Sequence, residues 1–293
     1  MRLSRRALTG YAFVSPALIF LLCFSIGPIL FAFYVSFHEW DMLAPVGAMP
    51  FRGLENYRYL LTEDPLFFQV LRNTVVYTVA AVAISAVLGL ALALLLNRRV
   101  RPLAFWRAIY FLPIVTSSIA VSLIWSYLYN TNYGLFDGLL ALAGLPQHRF
   151  LDSPSEALPS VIGVGIWQSV GYYMVLFLAG LQGIPQEYYD AASVDGATTW
   201  RAFLHVTLPL LRPTILFVLV VNTIGALQVF DIIYVMTGGG PVNATYTGVV
   251  YIYDTAFKFL RMGRATAMSF LLFAIILVIT LAQLRLLRGG FEA

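Results

Sequence analysis

The sequence predicts an all-α, polytopic membrane protein with six transmembrane helices and both termini in the cytoplasm. Three observations carry that reading: a very apolar composition, a series of charge-free runs of bilayer length, and basic residues gathered on one side of those runs. Of 293 residues, 60% are hydrophobic and 11% are charged, against roughly a quarter charged in soluble domains. Mean hydropathy is +0.82. A hydrocarbon core about 30 Å thick needs around 20 residues of helix, which makes uncharged runs of that length the natural ruler. Residues 1–10 read as a cytoplasmic N-terminus and 11–293 as a single transmembrane domain.

The first run, 11–37, has no Asp, Glu, Lys or Arg. Arg2, Arg5 and Arg6 precede it as they would precede a signal peptide. The run exceeds the usual apolar region of about 7 to 15 residues, and no small-residue cleavage site follows, so it is expected to stay as an anchor. The runs 73–97, 108–136 and 157–186 are likewise uncharged and place spans at about 70–97, 108–130 and 157–181. Residues 213–234 are interrupted only by Asp231, and 265–284 by no charge; these give spans at about 213–235 and 264–287. An acid at a span's centre costs about 2.5 to 3.5 kcal/mol and avoids lipid. Asp231 stands near the outer end of span five, where a cap or an interfacial pair suffices. Trp40, Trp106 and Trp125 suit interfacial belts.

With the N-terminus inside, Arg2, Arg5, Arg6, Arg98, Arg99, Arg101, Arg107, Arg201, Arg212, Arg285 and Arg288 are cytoplasmic. Arg52, Arg58, Arg72, Arg149, Lys258, Arg261 and Arg264 fall outside, beside Glu39, Asp41, Glu55, Glu63, Asp64, Asp137, Asp152, Glu156 and Asp254. The bias obeys the positive-inside rule. Outer loops then lie near 38–68, 130–156 and 236–263, and inner loops near 98–107 and 182–212. None has room for an ordinary soluble domain.

Several function classes fall away. The arginines are scattered singly rather than striped, so the net charge of +4 serves membrane orientation and not nucleic acid. Cys23 is alone, and His38, His148 and His205 lack ligand-like spacing, so neither a disulfide framework nor a metal site is expected. The chain's only lysine, Lys258, follows Phe257 rather than a glycine, so no GxxxxGK[ST] phosphate loop exists. Gly238-Gly239-Gly240-Pro241 follows a span on the outer side and reads as a turn. A membrane enzyme would need clustered His, Asp, Glu or Ser, and a secondary transporter would need ion-coupling acids at mid-membrane. Neither pattern stands out.

The inner loop 182–212 is the most informative segment. Pro185 suits a first helical turn, and Glu187 and Asp190 sit where the macrodipole favours acids. Tyr188, Ala191 and Ala192 recur at i, i+3 and i+4, forming one face whose alanines admit close approach. Gly196 supplies a turn. Trp200, Phe203, Leu204, Leu208 and Leu211 continue an apolar face, until Pro209 and Pro213 are expected to bend the chain into span five.

Here the chain resembles the permease subunits of ATP-binding-cassette (ABC) importers, whose cytoplasmic signature runs EAA, a glycine four residues on, then leucine-proline. The matching residues are Asp190-Ala191-Ala192, Gly196 and Leu208-Pro209, with aspartate where the motif has glutamate. DAASVDGA, the TGGGPVNAT block (237–245), YIYDTAFKF with Gly263, and the N-terminal SPALIFLLCFSIGPILFAFYVSFHEWD with GLENY (53–57) are similar to the carbohydrate-uptake branch, in particular the first permease of maltose-type and glycerol-phosphate-type pairs. The resemblance covers nearly the whole chain, in three blocks in the right order.

What the resemblance implies is the type I ABC importer transmembrane fold and an ATP-driven importer of a sugar or sugar-like solute. The implied partners are a second, homologous permease, two copies of an ATPase holding ATP and Mg, and an extracytoplasmic solute-binding protein. This chain itself is expected to hold no cofactor and to catalyse nothing. Glu187, Tyr188, Asp190, Ala191, Ala192, Asp195, Gly196 and Ala197 would couple it to the ATPase, with the acid opposite an ATPase arginine. The resemblance also places a sugar site in spans four and five, where Gln168 and Tyr172, and Asn222, Gly225 and Gln228, lie. Aromatic stacking with amide hydrogen bonds suits a polyhydroxylated ring, yet such residues equally act as hydrogen bonds between helices. Alternatives are a secondary transporter and an ABC permease for a non-sugar solute such as glycerol phosphate or polyamine.

Overall fold

The computed structural model describes residues 5–97 and 103–288. Arg2, Arg98, Arg99 and Arg101, which the charge argument puts inside, lie outside the described residues. Helices joined by loops make up the described residues, whose β structure is confined to one isolated bridge between His38 and Phe51. Two compact units divide it: Met1–Pro65 with Ile252–Phe273, and Leu66–Tyr251 with Ala274–Ala293.

In the first unit, α1 (Arg5–Leu21) passes through a π-helical turn, Leu22–Ile26, into α2 (Gly27–Ser36). The wide turn has a local cause. Pro28 lacks an N–H, and Gly27 N–H reaches back to the Leu22 carbonyl, so the five-residue spacing absorbs the missing donor without breaking the helix. The result is one 26-residue apolar span, Tyr11–Ser36, with only 6% of its apolar window covered by the chain itself. Beyond it comes α3 (Glu55–Thr62). Buried Asn56 on α3 donates to the carbonyls of Ser36 and His38, both at 2.9 Å, satisfying backbone acceptors left open at the end of α2. Gly263, in the first turn of α14 (Met262–Arg288), lies against the His38 carbonyl so closely that a Cβ there would collide with it.

The second unit is built on α4 (Phe67–Leu96), followed by α5 (Leu103–Val115), α6 (Ser118–Leu128), α7 (Leu135–Leu142) and α8 (Ala157–Gln182). After the inner loop, with α9 (Gln186–Val194) and α10 (Thr199–Ala202), come α11 (Leu208–Leu227), α12 (Asp231–Met236) and α13 (Gly248–Tyr253). Its core joins α4, α8 and α11 through Ala93, Met174, Phe177, Leu181, Leu211 and Val218. Lipid is as apolar as leucine, so close packing must hold these helices together. Small residues make that contact possible: a side chain at Gly171 would strike the Tyr110 carbonyl, and one at Gly180 the Thr214 hydroxyl.

Five helical stretches are long and apolar enough to cross a membrane: Tyr11–Ser36, Phe67–Leu96, Ala157–Gln182, Thr199–Met236 and Met262–Leu286. The third expected span, 108–130, differs from a single straight helix. It is the pair α5 and α6, bent by 95° at a short break, which makes six when counted as one span. Pro113 removes a donor from the last turn of α5, and Ser117 leaves the helical region with ψ 127°.

In the fifth apolar stretch, Thr199–Met236, Pro209 and Pro213 do not interrupt the helix, which continues from Thr199 to Leu227 before the break that leads to α12. A π-helical turn, Phe203–Thr207, stands just ahead of Pro209, and its wider spacing accommodates the ring. The continuous helix from Thr199 to Leu227 is about 43 Å long at 1.5 Å per residue, longer than a hydrocarbon core of about 30 Å, so its N-terminal turns project beyond the hydrocarbon.

Candidate functional site

Helix α9 starts after Pro185, whose φ of −58° and ψ of 139° set the chain direction, and Glu187 occupies its first turn. The helix ends in a Schellman motif. Gly196 N–H meets the Ser193 carbonyl at 3.1 Å, Ala197 N–H meets the Ala192 carbonyl at 2.9 Å, and Gly196 has a φ of +73°. That left-handed conformation is the one glycine adopts freely. Thr198 then caps α10 by accepting from Arg201 N–H at 3.4 Å. Across the bracket, the Tyr189 and Thr207 hydroxyls are 3.1 Å apart, joining α9 to the π-helical turn.

This internal bonding leaves one surface bare. Glu187, Asp190, Ala191, Asp195 and Gly196 are exposed, and Ala192 and Ala197 are half-buried. Tyr188 is 52% exposed, Trp200 66% and Val194 89%, a large apolar exposure on the aqueous side of a membrane protein. Among the described residues, Asp190 has one side-chain hydrogen-bond partner, Gln186, whose amide donates at 3.2 Å. The apolar face expected of 200–211 is graded: Leu211 is buried, Phe203 and Leu208 are half-buried, and Trp200 stays open, stacked on Phe203 at 5.4 Å.

The polar residues of spans four and five fall into two groups. Gln168 is buried and donates to the Ser118 hydroxyl at 3.2 Å, tying α8 to the first turn of α6. Asn222 is also buried and donates to the Ser85 hydroxyl at 3.0 Å, tying α11 to α4. By contrast, Tyr172 is half-buried with its ring edge-on to Tyr173, and Gly225 and Gln228 are exposed at the end of α11. Nothing lies within 4 Å of the position a Cβ would take at Gly225. Asp231 is exposed as the first residue of α12, a helix N-terminus that suits its charge.

One polar network escaped sequence reasoning. Asn73 donates to the carbonyls of Asn243 and Tyr246 at 2.9 and 3.1 Å, and Gly248 N–H meets the Thr74 hydroxyl at 2.9 Å. These bonds fasten the TGGGPVNAT turn to α4. Gly238 and Gly239 have φ of +59° and +93°, as the glycine run predicted. The signal for the partner side was an Asn-Thr pair inside an apolar run.

Residues 85–289 match the family of binding-protein-dependent transport system inner membrane components. The chain belongs to that family. The permease is similar, at 36% identity over 96% of its length and 94% of the relative's, to a trehalose/maltose transport system permease protein of Thermococcus litoralis. It is 34% identical to a multiple sugar-binding transport system permease protein of Streptococcus mutans, over 94% of each chain. In fold it is similar to a chain of a bacterial ABC transporter involved in import of the acidic polysaccharide alginate. The TM-score is 0.84 at 24% identity, covering 97% of the permease and 96% of that chain. Membership makes the protein a multi-pass inner-membrane transport component rather than an enzyme.

Proposed function

We propose that this permease is one half of the membrane pathway of an ATP-driven, binding-protein-dependent importer for a sugar or sugar-like solute. The remaining parts are a second homologous permease, two copies of an ATPase that holds ATP and Mg, and an extracytoplasmic binding protein. The supporting observation is the bracket at 185–207, bonded within itself yet bare at Tyr188, Asp190, Ala191 and Val194. A surface so held is a rigid body. An ATPase groove that grips it transmits its own closure to α11, and ATP binding thereby biases the spans between inward-facing and outward-facing states. Two relatives named as sugar permeases, and a solved structure of the alginate transporter with an alginate-bound periplasmic protein, support the solute class and the binding protein.

Within the pathway, Tyr172, Gly225 and Gln228 meet the solute, while Gln168 and Asn222 hold the helices that shape it. The coupling reading is tested with Asp190→Arg. The variant inserts normally but loses ATPase copurification and ATP-driven uptake in proteoliposomes; full uptake with the ATPase still bound would refute the docking role.

A further inference from the structure

At the outer end of the first unit, a cavity of about 1030 Å³ opens between the segment after α2, helix α3 and the start of α14. Its depth in the membrane follows from the spans. One ends at Ser36 and another begins at Met262, and Met262 N–H donates to the Trp40 carbonyl at 2.9 Å beside the cavity. Headgroups lie where apolar spans end and tryptophan is favoured.

The charges lining it sort by partner. Glu39 lies 2.8 Å from Arg52, with Glu55 at 3.9 Å from the same guanidinium. The Asp41 carboxylate accepts from the N–H groups of Leu43 and Ala44 at 3.0 and 3.1 Å, and these bonds hold its carboxyl below the usual range, fixing it as an anion. What remains is Arg58, Arg261, Arg264 and Glu63. Among the described residues, none of these three guanidinium groups has a carboxylate partner. Arg264 is fixed over the Tyr59 ring, 3.6 Å from its centroid. Over the whole lining four guanidinium groups face four carboxylates, so the charge balances; the three guanidinium groups left without a carboxylate partner are the ones open to an anion, and the guanidinium fork matches phosphodiester oxygens. Phe31 and Phe33 on α2 and Phe273 on α14 are exposed, offering apolar surface to acyl chains on the membrane side.

We propose that this cavity binds the headgroup of an anionic phospholipid of the outer leaflet, its phosphate held by Arg58, Arg261 and Arg264. The proposal stands apart from the solute and from the ATPase.

The test uses the assembled transporter in nanodiscs and a photoactivatable phosphatidylglycerol probe, with crosslinks mapped by mass spectrometry. Crosslinks are expected in 39–64 and 260–264, competed by phosphatidylglycerol and not by phosphatidylcholine; that arm needs no variant. Arg58→Gln/Arg261→Gln/Arg264→Gln should lower labelling about tenfold or more, given the strength of charge-assisted hydrogen bonds. Arg149→Gln, at an outer arginine that does not line the cavity, should leave labelling unchanged. Equal competition by phosphatidylcholine would overturn the proposal, as would undiminished labelling of the triple variant. Displacement by millimolar inorganic phosphate would reassign the site to a free oxyanion. A triple variant that keeps its label but loses binding-protein-stimulated ATP hydrolysis would make the cavity a protein contact instead.

Discussion

Gly196 shows how much of the bracket depends on one backbone conformation. Its φ of +73° lets two successive N–H groups reverse onto carbonyls of α9, and the space where a Cβ would sit is empty. Sterics within the residue, and not crowding, are therefore what a substitution meets. Gly196→Val should cost about 1 to 2 kcal/mol of left-handed strain. Limited proteolysis is expected to cut the variant faster between α9 and α10, with ATP-driven uptake reduced and the amount inserted unchanged. This residue was legible in the sequence, because a glycine between two amphipathic segments has few other uses. Asn222 was not. An amide in an apolar run fits a solute contact and an interhelical bond alike, and only the position of Ser85, far away in the chain, favours the second.

Helices make the same contrast at a larger scale. Charge-free runs overlap the five long apolar helices and the bent pair α5–α6, since desolvating an ion costs more than any local preference recovers. Where a helix bends was harder to read, because proline acts through its neighbours. Pro209 sits in an unbroken helix, relieved by the wide turn before it, whereas Pro113 precedes a break followed by a 95° turn. The spacing of carbonyls decides between these outcomes, and composition does not encode it. The α4–α11 contact offers a direct measurement. A double-mutant cycle of Ser85→Ala and Asn222→Ala, read by denaturation in mixed micelles, should give a coupling of about 0.6 kcal/mol. Half-saturation for solute should stay within twofold or so of the parent, as fits a bond of that size between helices.

At the scale of the whole chain, the charge bias sets both termini and the bracket inside. Cysteine labelling tests it cleanly, because Cys23 is the single native thiol. In a Cys23→Ala background, Val194→Cys, at a site 89% exposed, should react only with reagent supplied to the cytoplasmic face. Leu142→Cys, at a site 87% exposed, should react only from outside. The reverse pattern would invert the topology and remove the bracket from any ATPase. The first span adds a consequence for handling the subunit. Its most apolar window has almost no cover from its own polypeptide, so it forms an oily rod whose sheath is always borrowed, from hydrocarbon tails or from a neighbouring chain. Solubility here is a property of the company the subunit keeps.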